Sequence, residues 1–242
     1  MVMHDHIVRS FTEELEALTT AVSRMGGLAE EAVANALATI SRRDTALAQQ
    51  VIERDALLDE AQREIERKIT RILALRQPMA RDLRQTIAAL KLAADIERIG
   101  DLAKNIAKRS LNMDAVLPAS VLRGIERMGK LAVAQLKQVL DAFGTGAPGG
   151  AVSVWLQDEE LDEHYNSLFR ELLTYMMEDP RKIGPTTHLL FIAKNLERIG
   201  DHCTNMAEVV HYMETGEEIA GVRPKADSLG QPAPPSDSDG EV

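Results

Sequence analysis

The side chains that offer the most chemistry here are carboxylates at helical spacing. Glu97 and Asp101 stand four residues apart in Glu97-Arg98-Ile99-Gly100-Asp101, and Asn105 extends the row. On a helix these three share one face. Like charges at that spacing repel by roughly a few tenths of a kcal/mol. Gly100 adds about 1 kcal/mol against alanine in a helix interior. Both costs return in the second half, where Glu197-Arg198-Ile199-Gly200-Asp201 repeats the five residues unchanged. Costs repeated at matching places call for a compensating partner. A second acidic pair, Asp55 and Asp59, has the same spacing, and Asp158 and Asp162 match it in the other half.

Two partners fit the rows. Arg98 and Arg198 can pair with acids across helices, Gly100 then serving only close helix contact and the acids forming a solvated face. Alternatively, a hard cation draws the rows together. Divalent metals take several oxygen ligands, and carboxylates at i, i+4 present them jointly. Spacing alone does not decide whether the two pairs of a half face each other. A carboxylate-bridged metal oxidoreductase is disfavoured, because such bundles use Glu-x-x-His and here Gly100 and Gly200 stand three after the Glu. A structural scaffold with solvated acidic faces is the remaining alternative.

Other candidates are weaker. His4 and His6 sit near the N-terminus, His188 opens an apolar run and reads as an interior histidine, and the adjacent His202 and Cys203 read as packing residues. There is no GxxxxGK phosphate loop, and no nucleophile–base arrangement can be argued from spacing, so no catalytic or cofactor-binding residue is assigned.

The elements that must position the acids are helices. Apolar residues recur at helical spacing in Phe11 to Ile40, from about Thr45 to Leu75, and from about Met79 to Leu111. Asp44 is placed as an N-cap, and Pro78 in the first turn of the third helix. A linker over Asn112 to Ser120 precedes a fourth helix from Val121 to Phe143. Gly144 to Gly150 reads as a loop, a fifth helix covers about Val152 to Met177, and Asp179-Pro180 starts a sixth that ends near Glu214.

The chain repeats itself. Arg24-Met25-Gly26-Gly27-Leu28-Ala29 is matched by Arg127-Met128-Gly129-Lys130-Leu131-Ala132, an offset of 103 (127 − 24). Asp55 to Glu60 matches Asp158 to Glu163 at the same offset, and the Glu-Arg-Ile-Gly-Asp motifs differ by 100 (197 − 97). The change falls in a loop, where a duplicated unit tolerates it. The expected fold is all-α, two tandem pseudo-symmetric three-helix bundles, with residues 1–114 and 115–220 as the repeats. Residues 221–242, rich in Pro, Ser, Asp and Gly, form a tail expected to be disordered.

Composition bounds the function. A net charge of −10 argues against a nucleic-acid partner. The single cysteine allows no intrachain disulfide and suits a reducing compartment. The N-terminus has no apolar core of the signal-peptide kind. The longest apolar run within a helix, Leu189 to Ala193, is far short of the roughly 20 residues of a membrane span.

Several segments resemble the PhoU family of phosphate-signalling regulators: Arg76-Gln77-Pro78-Met79-Ala80-Arg81-Asp82-Leu83-Arg84, Ile96 to Asp101, Leu173 to Asp179, and Leu189 to Glu208. The resemblance spans about residues 5 to 219, and the duplicated Glu-Arg-Ile-Gly-Asp is its strongest part. It implies two three-helix bundles whose E/D-xxx-D motifs bind metal, here Asp55, Asp59, Glu97 and Asp101, and Asp158, Asp162, Glu197 and Asp201. The metal would be Mg, Mn, Fe or Zn. It also implies a non-enzymatic negative regulator of the phosphate-starvation response and of phosphate uptake. In that role the chain links the ATPase subunit of a phosphate ABC transporter to a membrane sensor histidine kinase. The expected location is the cytoplasm, with peripheral attachment at the inner membrane through these partners, and the family admits a homodimer.

Overall fold

The computed structural model describes residues 2–113, 118–221 and 223, with side chains from Ser10 onward. Among them the regular structure is helical: α1 (Val2–Arg42), α2 (Thr45–Arg76), α3 (Ala80–Ser110), α4 (Ala119–Thr145), α5 (Pro148–Leu156), α6 (Asp158–Glu178) and α7 (Ile183–Thr215). The first three helices make one bundle. Helices α4 to α7 make the second, in which α5 and α6 together take the place of α2. The all-α, twice-three-helix expectation holds.

Local chemistry explains the breaks. Asp44 caps α2, its carboxylate accepting the Leu47 backbone N–H at 2.9 Å. Gln77 ends α2 in the left-handed region, and Met79 is the N-cap of α3. Pro78 therefore lies in the break rather than in the first turn of α3. The fifth predicted helix is in fact two, and much of the predicted loop is helical. Gly146 closes α4 at φ 66°, and Pro148 at once starts α5, its missing N–H costing nothing there. The chain breaks again at Gln157, whose carbonyl accepts the buried Gln135 amide at 3.1 Å. A short 3₁₀ turn, Pro180–Lys182, precedes α7. Apart from Gly221 and Arg223, the expected tail lies outside the described residues.

A single apolar core runs through both bundles, and contact between them is carried by α3 on α7 and α1 on α4. The α1–α4 contact follows the repeat. A Cβ on Gly26 would overlap the Leu140 side chain, and one on Gly129 would overlap Leu37. These are the same two positions exchanged, since Gly26 corresponds to Gly129 and Leu37 to Leu140. Each half thus offers the other one hollow and one leucine. Across α3 and α7, the Arg109 guanidinium lies 4.1 Å over the Phe191 ring.

The reciprocal fit predicts a coupling. Gly26→Ala gains up to about 1 kcal/mol of helix propensity but crowds a buried leucine, and overpacking costs about 1–3 kcal/mol. In denaturant unfolding we expect a net loss in the wild-type background, and none or a gain in a Leu140→Ala background. Equal effects in both backgrounds would contradict the contact.

Candidate functional site

The repeated motif places its acids through the glycine at its centre. A Cβ on Gly100 would run into Leu58, and one on Gly200 into Leu161. Leu58 stands between Asp55 and Asp59 on α2, and Gly100 stands between Glu97 and Asp101 on α3. Seating the leucine on the bare glycine therefore brings the two acidic pairs together. Leu161 on α6 and Gly200 on α7 repeat the arrangement, with Asp158 and Asp162 on one side and Glu197 and Asp201 on the other.

In the first half the acids meet a cation of the chain itself. The Lys104 ammonium, one turn beyond Asp101, donates to Asp55 Oδ2 at 2.5 Å and Asp101 Oδ1 at 3.1 Å, joining α2 to α3. These bonds hold its proton more tightly than an ordinary lysine does. The Glu97 carboxyl is pushed above the usual carboxylate range, first by burial and then by the fields of Asp101, Asp59 and Asp55, against the pull of Arg98. All four predicted acids of this half thus share one electrostatic patch. Arg98 stays within α3, its guanidinium 3.5 Å from Glu97 and 3.6 Å from Asp101, with its side chain 64% exposed.

In the second half the cation comes from beyond the last helix. Arg223 forks over Asp158, with Nε to Oδ2 at 2.7 Å and Nη2 to Oδ1 at 3.2 Å. Its Nη2 also donates to Asp201 Oδ1 at 2.6 Å, and Nη1 reaches Asn205 Oδ1 at 3.4 Å. Asp158 is buried, its side chain only 3% exposed, and also accepts the Thr204 hydroxyl at 2.9 Å. Glu197 takes the Lys194 ammonium at 2.7 Å. Asp162 lies one turn along α6 from Asp158 on the same face.

The structure thus joins Asp55 to Asp101 and Asp158 to Asp201, each pair through one cation. Arg98, one of the two arginines first considered as partners, ion-pairs along its own helix instead. The donor chemistry suits a hard cation: carboxylate oxygens from two helices around a point where the chain already places positive charge. As the side chains stand, no three His, Cys, Asp or Glu groups among the described residues gather closely enough to hold a metal ion. Metal entry would therefore require the acids to exchange the internal cation for the ion.

Sequence reasoning missed both cations. Lys104 was findable, since it follows Asp101 by three residues on the same helix. Arg223 was not, because no periodicity marks its segment. His202 is more than a packing residue: its Nδ1 lies 2.9 Å from Asp95 Oδ1 across the two halves. Cys203 is fully buried, and burial pushes its thiol pKa far up, which makes it inert. His188 is half-buried, and its Nδ1 has no hydrogen-bond partner among the described residues. His4 and His6 lie outside the described side chains.

The family described as the PhoU domain matches twice, over residues 22–110 and 125–210. A protein of Caulobacter vibrioides named "Phosphate-specific transport system accessory protein PhoU homolog" is 58% identical over 230 residues, covering 95% of this chain and all of that one. A protein of the same name from Rhizobium meliloti is 52% identical over 225 residues, covering 93% of this chain and 95% of its own. The crystal structure of PhoU from Pseudomonas aeruginosa superposes with a TM-score of 0.83 at 38% identity, covering 86% of this chain and all of that one.

The two kinds of cation contact should differ in worth. Lys104→Gln removes a partly buried ammonium from two carboxylates, and hydrogen bonds to charged groups contribute about 1.5–3 kcal/mol, the low end applying where solvent screens them. Arg98→Gln removes an exposed pair worth less than about 0.5 kcal/mol. Urea unfolding of the two variants should rank them in that order. Equal stabilities would show that Lys104 is not the organising cation.

Proposed function

The chain belongs to the PhoU family, and from that premise we propose that it is a non-catalytic accessory regulator of a phosphate transport system. It acts as a negative regulator of the phosphate-starvation response and of phosphate uptake. One observation carries the reading: the family pattern matches both halves, and relatives covering nearly the whole chain carry the accessory-protein name.

In the finer reading, the chain is a metal-binding adaptor between the ATPase subunit of a phosphate ABC transporter and a membrane sensor histidine kinase. Long rigid helices suit such a role, because they present extended faces to two partners. By binding the phosphatase-competent state of the kinase more tightly, the adaptor shifts the kinase toward that state. No helix among the described residues is long and apolar enough to cross a membrane, so contact with a membrane complex would run through partners.

Asp55, Asp59, Glu97 and Asp101 would hold metal in the first half, and Asp158, Asp162, Glu197 and Asp201 in the second. A bound divalent ion supplies a charge that ties α2 to α3, or α6 to α7. The chain's own groups do the rest. Gly100 and Gly200 set the helix separation, and Lys104 and Arg223 keep the acids neutralised when no metal is held.

A strain lacking the protein should express phosphate-responsive genes in phosphate-rich medium. Tagged protein should bring down the transporter ATPase and the kinase from detergent-solubilised cells. Normal repression in the deletion strain would contradict the proposal.

A further inference from the structure

Lys104 and Arg223 perform the same electrostatic task but are held differently. Lys104 is carried by α3 itself, so it can leave its acids by side-chain rotation alone. The matching position on α7 is Thr204, whose hydroxyl reaches Asp158 Oδ1 at 2.9 Å and carries no charge. The second half thus lacks the repeat's own cation. Asp158 and Asp201 are neutralised instead by Arg223, past the end of α7 at Thr215, while Lys194 serves Glu197. The chain reverses at Gly216, with φ 76°, and passes Trp155 at Gly221. There the guanidinium enters between α6 and α7.

We propose that Arg223 is a tethered counter-ion which a divalent metal must displace, so that metal binding in the second half unseats the chain segment after α7. The inference rests on the metal reading of the acid patches given above. The oxygens that Arg223 occupies, both of Asp158 and one of Asp201, are those that a metal bridging α6 and α7 would need. Two occupants of the same oxygens exclude each other. Seating of Arg223 therefore lowers metal affinity, and by linkage bound metal lowers the seating of Arg223 to the same degree. The first half has no such coupling, because Lys104 moves aside without releasing any segment. One fold thus carries one plain cation site and one whose filling is transmitted to the end of the chain.

A reporter stands on the path. Trp155, the sole tryptophan, is 6% exposed, donates to Glu208 at 3.1 Å and lies beside Gly221 in one cleft. That cleft, of about 750 Å³, is also lined by Arg84, Tyr212, Ile219 and Arg223. Unseating the segment removes one wall of that cleft and uncovers the ring.

The test uses the full chain, with Mn²⁺ titrated by calorimetry and Trp155 read by acrylamide quenching with and without saturating Mg²⁺. Arg223→Gln should bind Mn²⁺ in the second half at least about tenfold more tightly than wild type, the low end of what close charge pairs are worth. Arg223→Lys, which keeps the charge but not the fork, should fall between. Mg²⁺ should raise quenching in wild type and in Lys104→Gln. Arg223→Gln should be quenched strongly from the start, with no further change. Equal Mn²⁺ affinities in wild type and Arg223→Gln, or Trp155 shielding unmoved by Mg²⁺ in wild type, would overturn the displacement alone. Absence of Mn²⁺ binding in wild type and Arg223→Gln alike would overturn the metal reading and this inference with it.

Discussion

The arrangement depends on a missing Cβ. Gly100 and Gly200 cost their helices stability, and each is occupied by a leucine, Leu58 or Leu161, that sits between two aspartates. Because the leucine seats directly on the glycine backbone, neighbouring helices come close enough for their carboxylates to share one cation. A Cβ at either glycine would overlap a leucine Cδ and force that side chain off its seat beside the acids. The local helix penalty and the like-charge repulsion are thus both offset by one feature, a cation between two closely packed helices.

Duplication gives this feature twice but not identically. The apolar frame is preserved closely: Gly26 and Gly129 accept Leu140 and Leu37 in a reciprocal contact, and one core runs through both halves. The neutralising charge is not preserved. The first half carries Lys104 on the helix, whereas the second has Thr204 there and takes Arg223 from outside the repeat. Packing is held by many contacts at once, so it resists drift. A counter-charge can be supplied from wherever a cation reaches, so it is free to move to a different element.

Much of this was legible in the residues. Helix type and the twice-three-helix plan followed from long apolar periodicity, and the repeated motif picked out Asp55, Asp101, Asp158 and Asp201, though spacing alone left open whether they face each other. Two features were not legible for physical reasons. The split of the second bundle's middle helix depends on Gln135, a buried residue on another helix, accepting the role of partner to the Gln157 carbonyl. No local pattern records that. Arg223 lies in a segment without periodicity, and only the buried charge of Asp158 explains why it is drawn in. Tertiary electrostatics settled what propensity could not.

The central claim is that each half gathers its acids around a cation position which a divalent metal can take. A crystal of the full chain grown with Mn²⁺, measured for anomalous scattering, tests it most directly. The account predicts two manganese peaks, one between Asp55 and Asp101 and one between Asp158 and Asp201, with Lys104 and Arg223 turned away. Peaks elsewhere, or full manganese exposure with both side chains still on their carboxylates, would contradict it.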